Sequence, residues 1–175
     1  MSSIDLAVLG MVLERPQSAY ELQKDVAYHH FSRWTRISVP SVYKKVLQLA
    51  EKGYLKSEAV KGNRFSEKTV YSITEQGRKR FIDLMEACAD RPVPLLFDFN
   101  VVVANLNKVD QGEALALIQK LRGSIAASAE ESEGYAADYP GLPLVGRTIF
   151  DQQRLLYRSL LQWLDEFTAQ FDAQS

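Results

Sequence analysis

Among the 175 residues there is one cysteine, Cys88, and there are two histidines, His29 and His30, which are adjacent. A single cysteine excludes an internal disulfide and a cysteine-based zinc site within one chain. It suits a reducing cytoplasm, where a lone thiol is expected as a packed core residue. Neighbouring helical residues point about 100° apart, so two adjacent histidines do not grip one metal ion. Long apolar runs are also missing. Val101 to Ala104 is among the longest, far short of a membrane span, and the first residues lack the basic segment of a secretory signal. There is no glycine-rich phosphate loop, no G-x-S-x-G elbow and no H-E-x-x-H pair, and Glu130, Glu131 and Glu133 read as a solvated helix surface rather than a catalytic cluster. The expectation is a soluble, cytoplasmic protein that is not an enzyme and holds no cofactor or metal.

The most telling scarcity is of acid in one stretch. Between Arg33 and Arg80 there is no aspartate and there are four glutamates against twelve lysines and arginines, a local balance of +8 in a chain whose net charge is −1. Divided at Pro92, residues 1–92 carry 15 basic and 11 acidic side chains, net +4, and residues 93–175 carry 6 and 11, net −5. Duplex DNA is a dense line of negative charge, and a protein that binds it gathers cations on one face while the remainder keeps it soluble. The two parts are therefore expected to be a DNA-binding domain, 1–91, and a second domain, 92–175.

The pattern within 1–91 is mainly helical. Ile4, Leu6, Leu9, Met11, Val12 and Leu13 form a first apolar helix that Arg15-Pro16 ends. Ser18 with Glu21 has capping-box spacing, and Tyr20, Leu22, Val26, Ala27 and Phe31 supply the apolar positions of a second helix running to about His30. Ser38 and Ser41 are both N-cap candidates for a third. Its inward face is expected at Val42, Val46, Leu47, Leu49 and Ala50, and Gly53 ends it. Tyr43, Lys44, Lys45 and Gln48 then project outward, where a recognition helix meets the major groove. Lysine can meet phosphate or guanine there, and glutamine can pair bidentately with adenine.

A strand beginning near Tyr54 and a partner from Thr69 to Ile73 flank Lys61-Gly62-Asn63-Arg64-Phe65-Ser66-Glu67-Lys68, a turn that presents Lys61, Asn63, Arg64 and Lys68. This is the wing, with Arg64 at its tip suited to a narrow minor groove. Thr74 caps a fourth helix, packed through Ile82, Leu84, Met85 and Cys88.

These residues resemble a known family. Tyr20-Glu21-Leu22, Trp34, Ser41-Val42-Tyr43, Leu47, Glu51-Lys52-Gly53-Tyr54-Leu55 and Val70-Tyr71-Ser72-Ile73-Thr74-Glu75-Gln76-Gly77-Arg78 together resemble the PadR family of bacterial transcriptional regulators over roughly residues 4–82. The resemblance implies a winged helix-turn-helix with a two-stranded wing and a C-terminal helical dimerisation domain of the longer-tailed branch. It further implies a homodimeric repressor, or sometimes an activator, whose hold on double-stranded DNA responds to a small aromatic or hydrophobic ligand. The family's recognition and wing positions carry over to Tyr43, Lys44 and Lys45 and to Lys61, Arg64 and Lys68.

After Arg91-Pro92-Val93-Pro94, a linker by its prolines, Phe97 to Leu106 is a short apolar segment. Ala114, Leu115, Ile118, Leu121 and Ile125 recur at helical spacing from an Asp110 cap to about Tyr135. A last helix from about Gly146 to Phe171 carries Ile149, Leu156, Leu160, Trp163, Phe167 and Phe171 on one stripe, beside Phe150, Tyr157, Leu161 and Leu164. So much apolar surface in about 80 residues calls for a partner, because small units bury only about 60% of their unfolded surface. Phe97, Phe99, Tyr157, Trp163 and Phe167 are the candidates to line a pocket at the dimer interface for a flat effector. The alternative to a DNA-binding regulator is a winged helix used as a protein-interaction module, with the tail as an assembly device.

Overall fold

A computed structural model describes residues 3–61, 67–139 and 141–173. The chain forms two compact units, Met1–Val93 and Pro94–Ser175. In the first, the helices are α1 (Ser3–Glu14), α2 (Ala19–Tyr28), the single turn α3 (Phe31–Trp34), α4 (Val39–Glu51) and α5 (Glu75–Ala89), with strands β1 (Leu55–Lys61) and β2 (Glu67–Ile73) between α4 and α5. Helix α1 is apolar nearly all round, so it sits in the middle, with Val8, Leu9 and Val12 buried against α4, α5 and β2. Leu22 and Val26 of α2 and Val42, Val46 and Leu49 of α4 complete the core with Ile37, Leu55, Tyr71 and Leu84. This is the winged helix-turn-helix expected from the sequence.

Local chemistry sets the element ends. Ser18 and Glu21 form the full capping box: the Glu21 N–H donates to Ser18 Oγ at 3.3 Å and the Ser18 N–H donates to Glu21 Oε2 at 2.8 Å. Helix α4 ends in a Schellman arrangement, with Gly53 N–H donating to the Ala50 carbonyl and Tyr54 N–H to that of Leu49. Gly53 has φ +75°, the left-handed region that glycine enters without a steric penalty. Thr74 caps α5 by accepting the Gly77 N–H at 3.0 Å, and its hydroxyl lies 2.7 Å from the Gly53 carbonyl oxygen. The start of α5 is thereby pressed so close to the preceding turn that a Cβ at Gly77 would lie 2.1 Å from the Tyr54 carbonyl oxygen. The Gly-Tyr-Leu and Ile-Thr-x-x-Gly pieces of the sequence are thus two halves of one junction.

Several expectations are corrected. Ser38 occupies the N-cap position of α4 without a side-chain cap bond, and Ser41 lies inside the first turn, where its hydroxyl donates to the Ser38 carbonyl at 2.5 Å. Leu47 is 38% exposed because Val42, Val46 and Leu49 already form the inward row, and residue 47 is turned about 100° from 46. Tyr20 and Ala27 face out of α2 rather than in. On α5, Leu84 is buried, but Ile82 and Met85 are 53% and 49% exposed and Cys88 is exposed. The inward row there is Gly77, Phe81 and Leu84, so the thiol is not a core residue. Both strands reach further into the wing than expected, from Leu55↔Ile73 to Lys61↔Glu67 in antiparallel register, so Lys68 is a strand residue opposite Val60. Gln17 adds a bridge to the far edge of β2, exchanging backbone hydrogen bonds with Tyr71 at 3.0 and 2.8 Å.

The second unit is a helical hairpin with a short lead-in. Helix α6 (Asn100–Val103) and a 3-10 turn (Leu106–Lys108) precede α7 (Gln111–Ala137) and α8 (Leu144–Ala173). The Asp110 carboxylate accepts the Glu113 N–H at 2.8 Å as the cap of α7. Pairings of Gln111 with Asp172, Arg122 with Asp165 and Ser132 with Gln153 show that α7 and α8 run antiparallel. Leu106, Ala114, Ile118, Ile125 and Leu164 form the core between them. Leu144, Val145, Leu155, Leu156 and Trp163 remain exposed, so the wide stripe of α8 is only partly covered within the unit. Among the described residues no helix is long and apolar enough to cross a membrane.

Candidate nucleic-acid interface

Helix α4 exposes the residues that a recognition helix needs. Its inward row of Val42, Val46 and Leu49 turns Tyr43, 52% exposed, and Lys44 to the outside, with Gln48 half-buried beside them. Lys44 makes no ion pair among the described residues. Lys45 differs: its ammonium lies 2.9 Å from an Asp5 carboxylate oxygen of α1, with only 20% and 13% of the two side chains exposed. The outward position expected for Lys45 is therefore corrected. Asp5 stands at the α1 edge beside α4, and the lysine stem lies along that contact with its charge neutralised.

In the wing, Asn63 and Arg64 lie outside the described residues, as does the side chain of Lys61. Lys68 is described and is engaged: its ammonium donates to Glu21 Oε1 at 2.5 Å. Glu21 thus accepts from Lys68 as well as from the Ser18 N–H and hydroxyl. The Lys68 bond, followed by the Ser18 backbone bond, lowers its pKa to about 2.

The space framed by α2, α4 and β2 is a groove of about 570 Å³, whose lining includes Tyr20, Glu21, Lys24, Tyr43, Lys68 and Tyr71. Tyr20 is exposed, and the Lys24 ammonium sits 4.7 Å from its ring centre, a cation–π pair one helical turn apart. Burial, followed by the neighbouring Tyr43, raises the Tyr71 pKa, so its hydroxyl stays protonated. Reasoning from sequence placed Tyr20 on the inner face and passed over Lys24 and Tyr71. The i, i+4 spacing of Tyr20 and Lys24 was the signal available, whereas the approach of Tyr71 to Tyr43 is a tertiary fact.

In the second unit, Phe97, Phe99, Trp163 and Phe167 do come together as a chain of rings. Centroids are 5.1, 6.1 and 6.1 Å apart in successive pairs, and Phe171 continues the series at 5.7 Å. Phe99 and Phe167 pack against the hairpin core. Tyr157 is not in this series. It lines a separate groove of about 520 Å³ with Arg154, Arg158, Leu161 and Glu133. Within one chain the five candidate effector residues thus lie in two places, a ring ladder and a separate groove. Among the described residues no group of three or more His, Cys, Asp or Glu side chains is arranged to hold a metal ion.

The fold defines a winged-helix protein with a helical tail. Residues 8–83 match the transcriptional regulator PadR-like family. Three solved structures show the same fold over nearly the whole chain. Bacillus subtilis PadR in complex with operator DNA is 16% identical, with a TM-score of 0.79 over 97% of this chain and 99% of that one. The same protein in complex with p-coumaric acid is 14% identical, with a TM-score of 0.79 over 97% and 95%. The virulence activator AphA of Vibrio cholerae is 18% identical, with a TM-score of 0.71 over 98% and 99%. Nothing among curated proteins matches the chain.

Proposed function

We propose that the chain is a homodimeric repressor that binds an inverted-repeat operator through α4 and the wing and releases it when a small aromatic acid binds the tail. The observation that carries this reading is the outward row Tyr43, Lys44 and Gln48 on a helix whose opposite face is fully committed to the core. Such a row has the chemistry for phosphates and base edges. The operator complex of B. subtilis PadR supports DNA as the ligand, and its p-coumaric acid complex supports a phenolic effector. The partly uncovered apolar stripe of α8 supports a second copy, and a twofold pair would set two recognition helices about 34 Å apart, one turn of DNA.

Retention of duplexes from the region upstream of the protein's own gene tests the reading, measured across a salt series with and without p-coumaric acid. The expected result is retention whose log affinity falls with log salt by about 0.9 per neutralised phosphate and weakens when the acid is added. A monomer that ignores these duplexes at low ionic strength would falsify the proposal. Release that never responds to phenolic acids removes the effector alone, and enhanced transcription in place of repression reverses only the sign.

A further inference from the structure

Lys68 has the type and position of a wing residue that would grip DNA, yet its surroundings assign it another task. Its ammonium is held by Glu21, and Glu21 is itself held by the Ser18 N–H and hydroxyl at 2.8 Å each. A surface ion pair is ordinarily weak because two long side chains must be ordered to make it. Here the capping box has already ordered the carboxylate, so the pair forms with half of that entropic cost met by the helix cap. One turn earlier, Gln17 exchanges two backbone hydrogen bonds with Tyr71. Residues 68 and 71 are about 10 Å apart along a strand, so β2 is fastened to the start of α2 at two separated points. Two fastenings fix a direction where one leaves a pivot. The direction they fix is that of β1 and β2 as far as the Lys61–Glu67 pair.

We infer that Glu21 and Lys68 are positioning residues that set the angle of the wing relative to α4, and that Lys68 neutralises no DNA phosphate. This inference rests on the DNA-binding reading and adds a division among its cations. Lys44 is available to phosphate, while Lys68 already has its counter-charge within the protein and releases no counterion from DNA.

The test measures the salt dependence of operator-duplex binding by fluorescence anisotropy for four proteins: the unaltered chain, Glu21→Gln, the double variant Glu21→Gln/Lys68→Ala, and Lys44→Ala. Glutamine retains the capping box, so α2 keeps its start. The double variant is expected to keep the slope of the unaltered chain while binding several-fold more weakly at every salt concentration, because the wing has lost a fastening. Glu21→Gln alone frees Lys68 and is expected to steepen the slope by about 0.9, whereas Lys44→Ala reduces it by about 0.9. A double variant whose slope falls as that of Lys44→Ala does, or a Glu21→Gln slope that stays unchanged, overturns the inference. Amide hydrogen exchange gives a readout independent of DNA. Val70, whose N–H faces β1, should exchange faster in the double variant while Val8 and Val12 do not, and unchanged exchange at Val70 also overturns it. If the unaltered chain binds no duplex, the DNA-binding reading fails by itself, and exchange still decides whether the pair fastens the wing.

Discussion

The two units solve the same problem, burial of apolar surface in fewer than 100 residues, in opposite ways. The first closes a core on all sides by crossing five helices and a hairpin, and it fastens each junction with a polar device: the Ser18–Glu21 box, the Gly53 turn, the Thr74 cap and the Lys45–Asp5 pair. Its surface is left free to be basic. The second is one long antiparallel hairpin with a single layer of core, and apolar side chains of α8 such as Leu156 and Trp163 stay exposed. A two-helix layer has one inside, so it cannot cover a stripe wider than its seam. The first unit thus encloses its apolar residues within itself, whereas the second leaves part of the apolar surface of α8 uncovered.

Glycines sharpen that contrast most. Gly77→Ala would drive a Cβ into the Tyr54 carbonyl, so the first unit should lose about 3 kcal/mol or more, seen as an early transition in thermal melts followed by circular dichroism. Gly123→Ala meets nothing within 4 Å on α7 and should stabilise the second unit by about 0.5–1 kcal/mol. If both glycines behaved alike, the distinction between a junction-locked unit and an open hairpin would be lost.

Next in size come the two adjacent lysines of α4. Lys45→Ala leaves Asp5 uncompensated in a mostly buried place and should cost about 1–3 kcal/mol of stability in denaturant titrations. Lys44→Ala should leave stability within about 0.5 kcal/mol while weakening DNA retention. Equal stability of the two variants would show that the Asp5 pair contributes nothing to folding.

A smaller effect is expected from pH. Glu21 titrates near 4.5 when unpaired and is lowered to about 2 in the folded protein. Between those values the unfolded chain binds the extra proton, so stability rises with pH there. The contribution is fully present above about pH 5 and is lost as pH falls toward 2. The stability difference between the unaltered chain and Glu21→Gln should therefore shrink across that window and be flat from pH 6 to 8. Smallest of all is the Arg122–Asp165 pair on the hairpin surface, at 2.7 Å and half-exposed. Each partner favours the charged form of the other, yet both are open to solvent, and Asp165→Asn should not measurably move the melting temperature.

Much of the first unit was legible because its signals are local. A capping box, a Pro break, a glycine after a helix and a threonine before one act over three or four residues, and each is found where the sequence placed it. Faces were harder. Leu47, Ile82, Met85 and Cys88 are apolar at plausible spacing, and only the crossing of α1 against α4 and α5 decides which of two neighbouring rows turns inward. The candidate interface was legible as a gathering of cations but not as their separate fates. Lys44, Lys45 and Lys68 are the same residue type in one basic stretch, yet Asp5 and Glu21, distant in sequence, engage two of them.

The order of amino acids by itself determined the charge division at Pro92, the helices with their caps, the hairpin between Leu55 and Ile73, and with them the winged helix-turn-helix. These follow from periodicity, backbone preference and net charge, which depend on neighbours along the chain. Only the tertiary structure decided that Gly77 admits no side chain, that Tyr71 comes up to Tyr43, and that Lys68 answers to Glu21. Those outcomes depend on which surfaces meet across 20 to 50 residues of sequence, and close packing together with the pairing of charge resolves them only once the core has closed.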